Sequence, residues 1–118
     1  MNVKTSFLKN KIYENSPNKN IVPVTTTINS NNKLFIGGCS LEDLVKKYDS
    51  PLYVLDEITL RNSCRAYKKA LEKYYPGPSL PIYASKANSS IFMSNLIASE
   101  GFGLDAVSEG ELLTALKG

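Results

Sequence analysis

The chain contains no histidine at all. That removes His-based catalytic triads and imidazole metal sites from its 118 residues, so any chemistry falls to lysine, carboxylates, hydroxyls or a borrowed cofactor. Cysteine is scarce. Cys39 and Cys64 form no CxxC pair and no disulfide framework, which fits a reducing compartment. No apolar run approaches the roughly 20 residues of a membrane-spanning helix. The net charge of +3 is spread thinly and forms no basic stripe, which argues against a nucleic-acid partner.

What is present is the composition of an ordinary soluble globular protein, 42% hydrophobic and 21% charged. Residues 1–32 differ from the rest. "NKIYENSPNKNIVPVTTTINSNN" is rich in Asn, Ser, Thr and Lys without helical periodicity, and residues 1–32 are expected to form a flexible extension. The segment has neither the apolar core of a secretory signal nor the arginines favoured in a transit peptide. The expected location is the cytoplasm, with a plastid as the alternative.

Order is expected from Lys33. Residues 33–50 read as a strand and a helix leading into the main body: "KLFIGG" as the strand, then "SLEDLVKKYDSP" with Ser40 at the N-cap and Pro51 as the stop. Residues 51–118 alternate strand and helix. "PLYVLD" is a compact apolar strand candidate, and Asp56 can cap the helix that follows it. Along that helix Leu60, Cys64, Tyr67, Leu71 and Tyr74 recur at spacings of three and four, which predicts a buried stripe. "LPIYASK" and "FGLDAV" are further strands, separated by the helix "SSIFMSNLIASEG" and followed by "SEGELLTALKG".

Such alternation with short connections predicts an α/β fold of parallel βαβ units, with helices outside a sheet or barrel. A closed eight-unit barrel takes about 250 residues, so a chain with about three βα units is expected to be the first part of a larger enzyme, with a small open α/β sheet as the alternative.

In parallel α/β sheets ligands gather at the carboxyl ends of the strands, where Lys86 and Asp105 fall. Strand alternation would set Ile82, Ala84 and Lys86 on one face, and Gly103, Asp105 and Val107 on one face of the next strand. A lysine there can be a solvated strand end. It can also be a nucleophile, because partial burial disfavours an ammonium and a neutral amine attacks aldehydes. Position alone leaves both readings open. Ser108 and Glu111 fit a capping box, with Gly110 leaving the backbone of that turn approachable.

Three stretches in order, "SPLYVLDEITLRNSCRAYKKAL", "YASKAN" and "GFGLDAVSEGEL", resemble the N-terminal part of the fold-type III pyridoxal-phosphate-dependent decarboxylases. The resemblance covers residues 33–118. It implies the N-terminal portion of an alanine-racemase-like TIM barrel, preceded by a strand (33–38) that would belong to a C-terminal β-domain and be poorly held without it. It implies pyridoxal 5'-phosphate as cofactor, Lys86 as the catalytic residue that carries it, Ala84 beside it, Asp105 against it and Glu111 near the lysine. Ser85 departs from the valine or leucine common in relatives.

The implied reaction is decarboxylation of an amino acid, with meso-diaminopimelate giving L-lysine as the expected case. Ornithine, arginine or carboxynorspermidine are alternative substrates, and an inactive truncated barrel is a further alternative. The resemblance also implies a homodimer with shared active sites; no metal, nucleic-acid or membrane partner is expected. Much of the family's site falls outside the matching segment, so the 118 residues alone are expected to be inactive.

Overall fold

The computed structural model describes Asn18 and residues 20–118, a mixed α/β structure. The chain divides into two compact units, one ending at Leu60 and one starting at Arg61. Most of the expected extension, residues 1–17 and Lys19, lies outside the described residues. Its later part is not featureless: Thr25 and Thr26 are buried and Thr27–Ile28 is a strand.

The first unit is built on a three-stranded antiparallel meander, β1 (Thr27–Ile28), β2 (Leu34–Ile36) and β3 (Cys39–Ser40). Asn29 shapes the first turn, its Oδ1 accepting the N–H groups of Asn31 and Lys33 at 3.0 Å each, as a short amide side chain does when it stands in for backbone. Gly37 and Gly38 make the second turn with φ of 58° and 79°. Two successive left-handed residues are the requirement of a tight two-residue hairpin, which is why both positions are glycine. Strand β2, expected to lack a sheet, thus has partners on both edges within this chain: Phe35 registers with Thr27 and with Ser40.

Ser40 then caps α1 (Leu41–Tyr48), its hydroxyl accepting the N–H of Asp43. Residues 51–56 do not form the expected strand; the segment carries no strand assignment among the described residues. An apolar run becomes a strand only where a ladder partner meets it, and local composition cannot guarantee one.

Asp56 ends that segment as a buried knot. It accepts hydrogen bonds from the Thr59 N–H (3.0 Å), the Thr59 hydroxyl and the Thr25 hydroxyl (2.8 Å), and Thr25 Oγ1 in turn accepts the Gly37 N–H at 2.9 Å. Burial pushes the Asp56 carboxyl up, but the bonds from Thr59 and Thr25 outweigh it and hold the carboxyl below its ordinary value. One side chain thus caps the next helix and ties it to the meander. Asp56→Ala removes a cap and orphans Thr25, so it is expected to cost about 1–3 kcal/mol, measured by chemical denaturation.

Helix α2 (Glu57–Tyr74) runs across the unit boundary. The second unit continues with β4 (Ile82–Ala84), a short 3₁₀ turn (Ser85–Ala87), α3 (Ile91–Ser99), β5 (Gly103–Asp105) and α4 (Glu109–Lys117). Strands β4 and β5 pair in parallel, Ile82 with Gly103, Tyr83 with Leu104 and Ala84 with Asp105, so β4–α3–β5 is a βαβ unit. The buried apolar residues here are Cys64, Met93, Leu96 and Ile97. The expected stripe on α2 is half right: Cys64 is buried and Leu60 and Leu71 are half-buried, but Tyr67 and Tyr74 are 69% and 74% exposed. The inward face passes through Lys68 instead, one position further on.

Candidate active site

The motif "YASKAN" is a strand end followed by a tight turn, and its polar residues frame that turn. Tyr83, half-buried in β4, donates its hydroxyl to the Asn88 carbonyl at 3.4 Å, and Asn88 Oδ1 accepts the Ser90 N–H at 3.0 Å. Burial raises the Tyr83 phenol above its ordinary value, partly offset by that carbonyl bond, so it stays a donor at neutral pH. Ser90 goes on to cap α3 through the Met93 N–H. Within this frame lie Ser85, Lys86 and Ala87.

Lys86 is therefore not on β4, as strand alternation predicted, but on the 3₁₀ turn just past its carboxyl end. Its side chain is exposed and makes no hydrogen bond or ion pair among the described residues. Ser85 beside it is 1% exposed, and its hydroxyl has no partner among the described residues.

Asp105 closes β5 and sits in register with Ala84. Adjacent strands lie about 4.8 Å apart, so the carboxylate belongs to the same strand-end edge from which the Lys86 turn departs. Asp105 is exposed, and no hydrogen bond or ion pair engages it among the described residues. The register brings the small Ala84 beside Asp105 and Gly103 beside Ile82; a Cβ on Gly103 would stand 2.7 Å from Ile82 Cδ1. The expected grouping of Ile82 and Ala84 with Gly103 and Asp105 is thus present, without Lys86 as a member of the strand.

The turn after β5 is the capping box anticipated in "SEGE". Ser108 Oγ accepts the Glu111 N–H at 3.2 Å, and Glu111 Oε2 accepts the Val107 N–H at 2.7 Å. The return bond reaches the residue before the N-cap, not the N-cap itself. One Glu111 oxygen is therefore already in use. Gly110 has open space around it, with nothing within 4 Å of a Cβ placed there.

A cluster that sequence reasoning missed lies on the other end of the βαβ unit. Glu100, the C-cap of α3, is 9% exposed and accepts from Arg61 Nη1 (2.8 Å) and from Arg65 Nε and Nη2 (3.0 and 2.8 Å). Arg61 also reaches Ser99 Oγ at 2.8 Å, and Lys68 Nζ reaches the Glu100 carbonyl at 3.0 Å. The spacing of the cations at i, i+4 and i+7 along one side of α2 is visible in the sequence, but nothing local names Glu100, the C-cap of α3, as their partner.

The bonds from Arg65 and then Arg61 hold the Glu100 carboxyl at about 2, below the usual 4.5. A depressed folded-state value gives stability that is complete above the ordinary value and fades as pH falls through the folded one. The thermal midpoint of Glu100→Gln is expected to fall below that of the native protein at neutral pH and to vary less between about pH 5 and about pH 2.

Among the described residues no group of three or more His, Cys, Asp or Glu could hold a metal ion, and no helix is long and apolar enough to cross a membrane. Residues 57–118 match the family described as "Pyridoxal-dependent decarboxylase, pyridoxal binding domain". The chain is 50% identical over 101 residues to a diaminopimelate decarboxylase from Synechocystis, covering 86% of this chain and 22% of that one. It is 38% identical over 89 residues to one from Methanothermobacter thermautotrophicus, covering 75% and 21%. Its fold is similar to a crystal structure of diaminopimelate decarboxylase from M. jannaschii in complex with L-lysine, with a TM-score of 0.71, 33% identity, and coverage of 80% and 22%. The chain thus spans about a fifth of the length of the curated relatives it matches.

Proposed function

Since the chain belongs to the pyridoxal-dependent decarboxylases, we propose that the whole protein removes the carboxylate of meso-diaminopimelate as carbon dioxide and releases L-lysine. The observation that carries this reading is the uncommitted Lys86 amine on the turn after β4, on the same strand-end edge as the uncommitted Asp105 carboxylate. The similarity to several diaminopimelate decarboxylases, one solved with L-lysine, supports the substrate.

The residues present fit pyridoxal 5'-phosphate. Lys86 would hold it through Nζ, which no protein carboxylate among the described residues engages. Asp105 would orient it by accepting from it, and Ala84, in register with Asp105, is small enough to leave the edge open to a flat ring. Glu111 would act from the turn, holding the Val107 amide and with it the backbone beside Gly110. When bound, the cofactor supplies the electron sink that accepts the pair left by the departing carboxylate. Lys86 Nζ would be the group at hand to hold and return a proton.

In this reading β4 and β5 are two staves of a larger barrel. Two parallel strands alone leave both edges unpaired. Ile82, Val107, Leu112, Leu113 and Leu116 are all at least half exposed, apolar surface of the kind neighbouring units would cover. A homodimer with shared sites and a cytoplasmic location belong to the same proposal.

The test is carbon dioxide release by the complete protein given meso-diaminopimelate, ornithine, arginine or carboxynorspermidine. Turnover with meso-diaminopimelate well above the others supports the reading; preference for another of the four moves the substrate within the family, and no release from any of them sinks it.

A further inference from the structure

The end of the βαβ unit opposite Lys86 is fastened with unusual density. Between the last residue of α3 and the first of β5 lie only Glu100, Gly101 and Phe102. Glu100 is gripped by both arginines of α2, its carbonyl accepts from Lys68, and Arg61 also binds Ser99. Gly101 takes φ of 74°, the left-handed value that ends a helix, and Phe102 N–H returns to the Ile97 carbonyl at 3.1 Å. Gly103 N–H then donates to the Pro81 carbonyl at 2.9 Å, the bond that opens the β4–β5 ladder. Three cations at the carboxyl end of a helix also complement the negative end of its dipole.

The ladder that follows is only three residues long. A short ladder sets its own register weakly, and a slip of one residue turns every side chain to the opposite face. The clamp on Glu100 acts at the point where β5 begins, beside the Phe102–Ile97 and Gly103–Pro81 bonds, and Asp105 lies two residues further along the strand from Gly103.

We infer that Glu100, held by Arg61, Arg65 and Lys68, is a positioning residue that sets the register of β5 and so the placement of the Asp105 carboxylate toward the cofactor. The inference rests on the reading of Lys86 and Asp105 as the cofactor edge. It adds to that reading a requirement on residues that touch neither cofactor nor substrate.

The test uses the complete protein in three forms: native, Glu100→Gln, and Met93→Ala as a core variant that loses stability without touching the clamp. Two quantities are measured: affinity for pyridoxal phosphate by absorbance titration, and amide hydrogen exchange at Gly103, Leu104 and Asp105 without cofactor. Glu100→Gln is expected to weaken cofactor binding about tenfold, the effect of losing roughly 1.4 kcal/mol of oriented contact, and to speed exchange in β5. Met93→Ala is expected to bind within about twofold of native despite a comparable fall in thermal midpoint.

Equal affinity and exchange in Glu100→Gln and native protein, or an equal loss in both variants at matched stability, overturns the inference. If Glu100→Gln does not fold, Arg65→Gln keeps the Arg61 arm, and a smaller loss in the same direction is expected; native affinity and native exchange in Arg65→Gln overturn the inference. Failure of the native protein to bind pyridoxal phosphate counts against the cofactor reading, and β5 exchange then decides the clamp alone.

Discussion

Lys86→Ala in the complete protein is expected to lower decarboxylase turnover by at least about 10³-fold, with the fold retained. The size follows from what is lost. A positioned proton-transfer group contributes about 10²–10⁴-fold, and Lys86 would also be the point of covalent attachment. The structural cost is small, because Lys86 is exposed and unbonded on its turn while Tyr83 and Asn88 hold that turn from either side. Circular dichroism and the thermal midpoint of Lys86→Ala are thus expected to stay native. Turnover within tenfold of native in Lys86→Ala would return the residue to a solvated turn lysine.

Asp105→Ala is the second large effect, and it falls on affinity. A hydrogen bond to a charged group is worth about 1.5–3 kcal/mol, which corresponds to about 10–100-fold weaker binding of pyridoxal phosphate. The carboxylate is exposed at the strand end, with no bond of its own to break among the described residues, so stability should barely move. Asp105→Asn tests the same point more gently, keeping the size and removing the charge. Unchanged affinity in both variants would leave Asp105 as a polar strand end.

Much of this was legible in the sequence because it is local. Ser40, Asp56 and Ser108 announce helix starts through side-chain oxygens that reach backbone amides three residues on, a relation contained within one turn. Gly101 likewise announces the end of α3. The alternation of β4, α3, β5 and α4 follows from apolar period and punctuation, and the order of three motifs pointed to the decarboxylase family that residues 57–118 match.

What was not legible depends on partners distant in sequence. "PLYVLD" has the composition of a strand, yet no strand forms at 51–56. Thr25 looked like part of a polar tail, but its hydroxyl bridges Gly37 and Asp56, residues 12 and 31 positions away. Tyr67 and Tyr74 share the spacing of the buried stripe yet are exposed, and the inward face takes Lys68 because its ammonium has the Glu100 carbonyl to bind. Glu100 itself lies 39 and 35 positions from Arg61 and Arg65, and no local period links them. Lys86 lies on the 3₁₀ turn past β4 and not on the strand, a difference the sequence hides because a turn of Ser, Lys and Ala carries no turn signature of its own.

If this protein holds its cofactor through Lys86, a reductive trap will fix the cofactor on that residue. The most direct measurement is to load the complete protein with pyridoxal phosphate, reduce it with borohydride, digest it and locate the modified lysine by mass spectrometry. A single pyridoxyl adduct on the peptide bearing Lys86 is expected, with no adduct in Lys86→Ala treated in the same way. A dominant adduct on any other lysine, or equal labelling in Lys86→Ala, would contradict it.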